Sequence, residues 1–188
     1  MTHHRAVGCT EEAWTSAEAS THDLSLVQVP RDVLRALGRG DLESAARLSD
    51  VGLTEYIAGP DCRWLWALRA EQVARTPADH VWVTRMAVDR GTGAVVGLAG
   101  FHGAPDDRGM VEIGYRIDPD HRRRGHARAA LEIMLDVGRA DPRVAVVRAT
   151  VSPDNRPSRA LLDQYGFVEV GEQWDEEDGL ETILEIPA

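Results

Sequence analysis

The sequence predicts one mixed α/β domain, a mostly antiparallel central sheet of about seven strands flanked by helices. Three observations predict it. A chain of 188 residues is the size of one well-cored domain. Strand-like and helix-like periods alternate along it without an internal repeat or a linker. Between Val81 and Asp118, three strand-like runs are separated only by short turns, which demands an antiparallel meander.

The elements follow in order. Residues 1–20 are polar, carry no sustained apolar period, and are expected to form a loosely held tail ahead of a single domain over 21–188. His3 and His4 have no carboxylate or cysteine at ligand spacing, so no metal site is expected. Leu24-Ser-Leu26-Val-Gln-Val29 alternates as a short strand, and Pro30 suits the first position of a helix reaching about Gly38. Asp41 is a good N-cap for a second helix carrying Leu42, Ala45, Ala46 and Leu48. A third, over Asp61 to Arg75, sets Trp64, Leu65 and Leu68 on one stripe.

Val81 to Val88 is rich in strand formers, and Asp89-Arg-Gly-Thr-Gly93 turns the chain into a second apolar strand, Ala94 to Phe101. Pro105 to Gly109 turns it again into Met110 to Asp118. Ala127, Ala130, Leu131, Met134, Leu135 and Gly138 give an apolar helix face between Gly125 and Arg139. Arg143 to Val151 reads as strand, Asn155 to Tyr165 as helix, and Phe167 to Val170 and Leu180 to Ile186 as closing strands.

Charge and composition exclude several function classes. The net charge of −10 disfavours nucleic acid and a polybasic membrane anchor. The longest strongly apolar stretch, Ala94 to Phe101, is far short of the roughly 20 residues that span a bilayer. Cys9 and Cys62 have no companions, which indicates plain thiols rather than a disulfide framework. With no secretory pattern in residues 1–20, a cytoplasmic protein is expected.

The segment that carries chemistry runs from Glu112-Ile-Gly-Tyr115-Arg-Ile117 through Asp118-Pro-Asp-His121 to Arg122-Arg123-Arg124-Gly125-His126-Ala127. A strand that ends in a loop with Gly125 and opens a helix presents unpaired amides at the positive end of the helix dipole, which is an anion site. The nucleotide-binding Gly-Lys-Ser/Thr loop is absent, and Gly91, Gly93 and Gly97 miss the dinucleotide spacing.

Arg122-Arg-Arg-Gly125-His-Ala127 resembles, in register, the Gln/Arg-x-x-Gly-x-Gly/Ala loop of the GNAT superfamily of acyl-CoA-dependent N-acyltransferases. A second block, Val151-Ser-Pro-Asp-Asn155-Arg-Pro-Ser158, with Leu161 and Tyr165-Gly166-Phe167 after it, strengthens the resemblance, which covers the chain from about Leu24. The branch it most resembles contains the ribosomal-protein N-terminal and small-amine acetyltransferases. The resemblance implies acetyl-CoA as acyl donor, its pyrophosphate on the amides from Arg123 to Ala127, next to Arg122, and its pantetheine along the strand at Tyr115 to Ile117.

It also implies roles in catalysis. Glu112 lies where relatives place an acidic residue that removes the amine proton, and is the first candidate for the base. His102 is the second, because the turn at Asp106 to Gly109 sets it near Val111. Many relatives offer a helix tyrosine to the departing thiolate, where this chain has Leu162. Ser158 is then the implied donor and Asn155 the residue that orients cofactor or water. Both are equally explained as an N-cap and a first-turn residue, and the two explanations are compatible. Tyr165 is expected to pack with Phe167.

The acceptor is expected to be a primary amine on a peptide, a protein N-terminus or a small molecule. The run Glu172, Asp175, Glu176, Glu177, Asp178 and Glu181 around Trp174 reads as a solvated turn or, more sharply, as an acidic lip that attracts a cationic amine. Trp64, Trp66 and Trp82 are expected in the core. A monomer or a homodimer fits the sequence equally. The competing readings are an acyl-CoA-binding sensor or scaffold without turnover and the transfer of another acyl group such as succinyl.

Overall fold

The computed structural model describes residues 13–16, 23–176 and 179–188, with helices packed on both faces of one seven-stranded sheet. The seven-stranded sheet comprises β1 (Leu24–Val27), β2 (Arg85–Asp89), β3 (Val95–Phe101), β4 (Met110–Ile117), β5 (Val146–Val151), β6 (Val168–Asp175) and β7 (Gly179–Pro187). Their spatial order is β1-β2-β3-β4-β5-β7-β6. The helices are α1 (Arg31–Arg39), α2 (Leu42–Leu48), α3 (Glu55–Ala58), α4 (Pro60–Arg75), α5 (His126–Ala140) and α6 (Arg156–Gln164). Among the described residues, no helix is long and apolar enough to cross a membrane.

The alternation of β4 and β5 divides the molecule. Val111, Ile113, Val147 and Ala149 pack with Ala130, Leu131, Met134 and Leu135 of α5 and Leu162 of α6 in one core. On the opposite face Met86, Val88, Val95 and Leu98 pack with Val33, Leu37, Ile57 and Trp66 in a second core. The sheet therefore has α1 to α4 on one side and α5 and α6 on the other.

The expected meander is present, since β1, β2, β3 and β4 pair antiparallel in sequence order. β4 and β5 run parallel, with α5 as the crossover, and only from Met110↔Val146 to Ile113↔Ala149. β4 continues to Ile117 and β5 to Val151, each held by its other neighbour. Beyond Ile113 the two strands splay apart.

Some boundaries differ from the sequence reading. The run from Val81 becomes a strand only at Arg85, because Pro77 opens a 3-10 turn over Pro77–Val81 that is closed by Trp82 and Val83 amides donating to the Asp79 carbonyl. Trp82 is then buried against Phe101, ring centroids 5.3 Å apart. The stripe of α4 buried in the core is Cys62, Trp66, Arg69 and Val73; of the expected stripe Leu65 is partly buried against the core, while Trp64 and Leu68 are exposed. Arg69 disguises that stripe in sequence, and Trp64 stands half exposed on the outer side. The short α3, capped by the Thr54 hydroxyl accepting from the Ile57 amide at 3.2 Å, had no clear apolar period to announce it.

Within residues 1–20, Trp14 exchanges two backbone hydrogen bonds with Leu26 and sets its ring 5.5 Å from that of Phe101. His3, His4 and Cys9 lie outside the described residues, as do Glu177 and Asp178.

Candidate functional site

An open cavity of about 1360 Å³ follows the splay between β4 and β5 and is lined farther out by residues of α4 and of the β6–β7 hairpin. Past Ile113, the β4 edge that faces β5 has no ladder partner, so the strand backbone at Gly114 to Ile117 is available to an extended ligand. Because the pleat alternates, this one gap is reached by side chains from both faces of the sheet.

On the α4 face stand Glu112, Gly114, Thr150, Thr84, His102 and Arg69. Glu112 Oε1 accepts from the Thr150 hydroxyl at 2.9 Å and lies 3.4 Å from His102 Nδ1. The His102 amide donates to the Glu112 carbonyl at 2.8 Å, so backbone pairing fixes the two side chains together. Desolvation lowers the His102 pKa below the ordinary histidine value; Glu112 opposes the shift and Arg69 adds to it. The shift favours the neutral imidazole. Gly114 makes room for it, since a Cβ there would sit 2.8 Å from His102 Nε2.

Arg69 frames this side. Its guanidinium donates to Thr84 Oγ1 at 3.1 Å, to Gln72 Oε1 at 2.7 Å and to the His102 carbonyl at 3.1 Å. Burial lowers its pKa from the usual arginine value, partly offset by Asp79 and Glu112.

On the α6 face stand Tyr115, Asn155, Ser158 and Leu162. Asn155 caps α6, its Oδ1 accepting from the Ser158 amide at 3.3 Å, so the capping explanation holds and leaves the Ser158 hydroxyl uncommitted to the cap. The Tyr115 hydroxyl is buried beside Ser158. Burial raises the Tyr115 pKa, and the Ser158 hydroxyl partly offsets that. Tyr165 points elsewhere, bonded to Glu132 and to Arg128 on α5.

The loop from Ile117 to α5 has the geometry the sequence suggested. Arg123 takes φ 59°, in the left-handed region that costs a non-glycine residue roughly 1–2 kcal/mol. Gly125, at φ 84°, is the N-cap of α5 and supplies no side chain to cap it. The helix ladder opens with the Ala129 amide donating to the Gly125 carbonyl at 3.0 Å, so the first-turn amides face outward without intrahelical acceptors. Arg122 is an anchor, its Nε donating to the Ile117 carbonyl at 3.0 Å. The His126 side chain is buried, which limits what it offers a ligand to its backbone amide.

Trp174, Asp175, Glu176 and Glu181, the residues of the expected acidic lip, line the outer part of the cavity. The sequence reading missed that Asp61, Trp64 and Leu68 of α4 line it too. Glu172 and Asp175 belong to β6 and Glu181 to β7, so the acidic run is hairpin strand more than turn. Trp174 is 76% exposed, an unusual position for an indole on a strand.

Comparison with known proteins agrees with this architecture. A family described as "Acetyltransferase (GNAT) domain" matches residues 31–168. The uncharacterized N-acetyltransferase YjdG of Bacillus subtilis is 34% identical over 74 residues, 39% of this chain and 44% of that protein. The chain thus spans about half the length of the curated relatives it matches. Mycobacterium smegmatis RimJ, solved in complex with CoA-disulfide, superposes with a TM-score of 0.61 at 22% identity, covering 95% of this chain and 87% of that one. The spermidine/spermine N-acetyltransferase SpeG of Vibrio cholerae gives 0.61 at 18% identity over 89% and 93% of the two chains. These two likenesses concern the fold. On the extent of the family match, together with the splayed sheet and the Gly125 loop, the chain belongs to the GNAT family of acetyltransferases.

Proposed function

We propose that this chain moves the acetyl group of acetyl-CoA to the primary amine of a cationic acceptor by direct attack. The observation that carries the reading is the continuity of one cavity from the unpaired edge of β4 to the His102–Glu112 pair and the acidic, tryptophan-lined mouth.

The residues present fit acetyl-CoA. The outward amides after Gly125 suit a pyrophosphate, with Arg123 and Arg124 adding charge and Arg122 holding the loop in shape. The open backbone of Tyr115 and Ile117 would hold the amides of a pantetheine arm. When bound, acetyl-CoA supplies the thioester carbonyl that is attacked.

The chain's own residues then divide the work. Neutral His102 takes the proton from the attacking amine through Nε2 or one water, and Glu112, held by Thr150, orients the imidazole and stabilises its charged form. Asp61, Asp175, Glu176 and Glu181 concentrate a cationic acceptor at the mouth, where Trp64 and Trp174 provide cation–π faces. SpeG, by name a spermidine/spermine N-acetyltransferase, and ribosomal-protein acetyltransferases are structural neighbours, which supports an amine or peptide acceptor of this kind. The free thiol of buried Cys62 accords with a reducing, cytoplasmic setting.

The test is thermal unfolding with and without acetyl-CoA, followed by thiol release against peptides, amino acids and polyamines. Ligand at about 100 times its Kd adds roughly 2.7 kcal/mol, several degrees in Tm for a chain of this size. Stabilisation with amine-dependent thiol release is the expected result. Stabilisation without release from any amine would leave an acyl-CoA-binding module, and no stabilisation would overturn the assignment of the loop and cleft.

A further inference from the structure

We propose that Arg69 holds a carboxylate of the acceptor, and that the acceptor is a basic α-amino acid whose amine meets His102 and Glu112 while its cationic side chain runs to the acidic mouth. The inference rests on the acetyl-transfer reading and names the substrate class within it.

The guanidinium of Arg69 is a buried charge in the cavity wall, its residue only 6% exposed. Nε is spent on Thr84 Oγ1, and Nη1 on Gln72 Oε1 and the His102 carbonyl. All three acceptors are neutral. Nη2 donates to no group among the described residues and remains accessible to solvent, which this residue meets in the cavity. Among the described residues no carboxylate pairs with the guanidinium directly; Asp79 is reached only through the Gln72 amide, which donates to it at 2.8 Å. A buried cation without a counter-ion is costly, and an anion brought by a ligand offsets that cost. The other bonds of the fork fix Nη2 in place, so such an anion meets pre-organised donors.

Glu112 stands on the same face of the sheet, so the wall presents one cationic and one anionic group together. A molecule with an amine and a carboxylate on one carbon carries the complementary pair: the amine goes to His102 and Glu112, the carboxylate to Arg69. A plain polyamine would set positive charge against Arg69 and leave Nη2 unused. The third point of recognition is farther out, where Asp61 and Trp64 line the same cavity from the same helix. Trp64 precedes Arg69 by five residues, roughly 7.5 Å along the helix axis. The side chain of arginine or lysine covers that span and brings its cation to the Trp64 ring and the outer carboxylates.

The test titrates the CoA-loaded chain calorimetrically with three probes: L-arginine, agmatine, which is the same molecule without its carboxylate, and L-argininamide, in which the carboxylate is a neutral amide. L-Arginine should bind at least about tenfold more tightly than either of the others. It carries the lowest net positive charge of the three, so general attraction to the acidic mouth works against it and a preference reports a specific contact. Arg69→Gln should bring the three affinities within about twofold of one another, with stabilisation by acetyl-CoA as the check that the variant is folded. Should it not fold, Arg69→Lys, which keeps the charge and loses the fork, should narrow the gap at least threefold. Agmatine within about threefold of L-arginine, or no measurable binding of L-arginine, would overturn the proposal. L-Argininamide matching L-arginine would overturn it too, because the recognised group would then be a neutral carbonyl, as at a peptide N-terminus; so would a folded variant with an unchanged preference. Thiol release judges the transfer reading separately. Release driven by agmatine or spermidine as fast as by L-arginine would keep that reading and overturn this inference, whereas selective binding of L-arginine with no release from any amine would keep the carboxylate site and overturn the reading.

Discussion

The backbone brings His102 and Glu112 together. Glu112 lies within β4 and His102 just past the end of β3, and the antiparallel bond from the His102 amide to the Glu112 carbonyl makes them neighbours. His102→Ala should therefore reduce kcat about 10²- to 10³-fold while leaving the thermal shift by acetyl-CoA intact. Glu112 opposes the downward shift of the His102 pKa, so Glu112→Gln lowers that pKa further. The acid limb of the kcat/KM profile, where protonation removes the base, should move to lower pH, with a smaller plateau; an unmoved limb would mean that another group is titrating. Gly114→Ala places a Cβ against His102 Nε2. The ring is the flexible partner, so the expected outcome is slow turnover with nearly normal CoA binding and melting.

At the scale of elements, two joints make the site. One is the passage from β4 into α5, where Arg123 and Gly125 both take positive φ and successive amides face outward. Gly125→Val would strain the loop and fill the approach to it. It should abolish stabilisation by acetyl-CoA while α5, held by Ala130, Leu131 and Met134, stays folded; circular dichroism and thermal shift together check this. The other joint is the parallel pairing of β4 with β5, which stops at Ile113↔Ala149 because β5 follows β7 while β4 follows β3. Divergence of two neighbours creates a gap through the sheet without breaking either core.

For the whole molecule, whose net charge is −10, five carboxylates, Asp61, Glu112, Asp175, Glu176 and Glu181, line one cavity. The arginines there are held by the protein: Arg116 donates to Tyr56 at 2.9 Å and to the Asp61 carbonyl at 3.1 Å, and Arg69 is tied to three acceptors. The combined variant Asp61→Asn, Glu176→Gln should raise KM for a cationic acceptor several-fold and flatten its dependence on salt, with KM for acetyl-CoA unchanged. Equal KM values at low and high salt in the unaltered chain would remove the acidic mouth from acceptor recognition.

Much of this was legible in the residues because the signals are local. Periodicity places β3, β4 and α5 within one residue of their bounds, the Asp41 and Asn155 caps are where side-chain chemistry puts them, and Arg122 to Ala127 announces the anion loop. What escaped is what depends on neighbours distant in sequence. Trp64 and Trp174, 110 positions apart, share a cavity wall, while Trp66, two residues from Trp64, is sealed in the core with its indole donating to the Ile57 carbonyl at 2.8 Å. A helix stripe that includes Arg69 reads as polar until Thr84, Gln72 and the His102 carbonyl hold it. The sequence by itself determined the sheet-and-helix class, the phosphate-type loop and the set of ionisable candidates, because backbone propensity and amide geometry act over a few residues. The turn at Asp106 to Gly109 already set His102 near the Glu112 region, and the acidic run already suggested a lip. The tertiary structure alone decided that Thr150 of β5 holds Glu112 and that Asp61 and Trp64 of α4 share the cavity with Trp174, because register and the splay of β4 from β5 are properties of the assembled sheet.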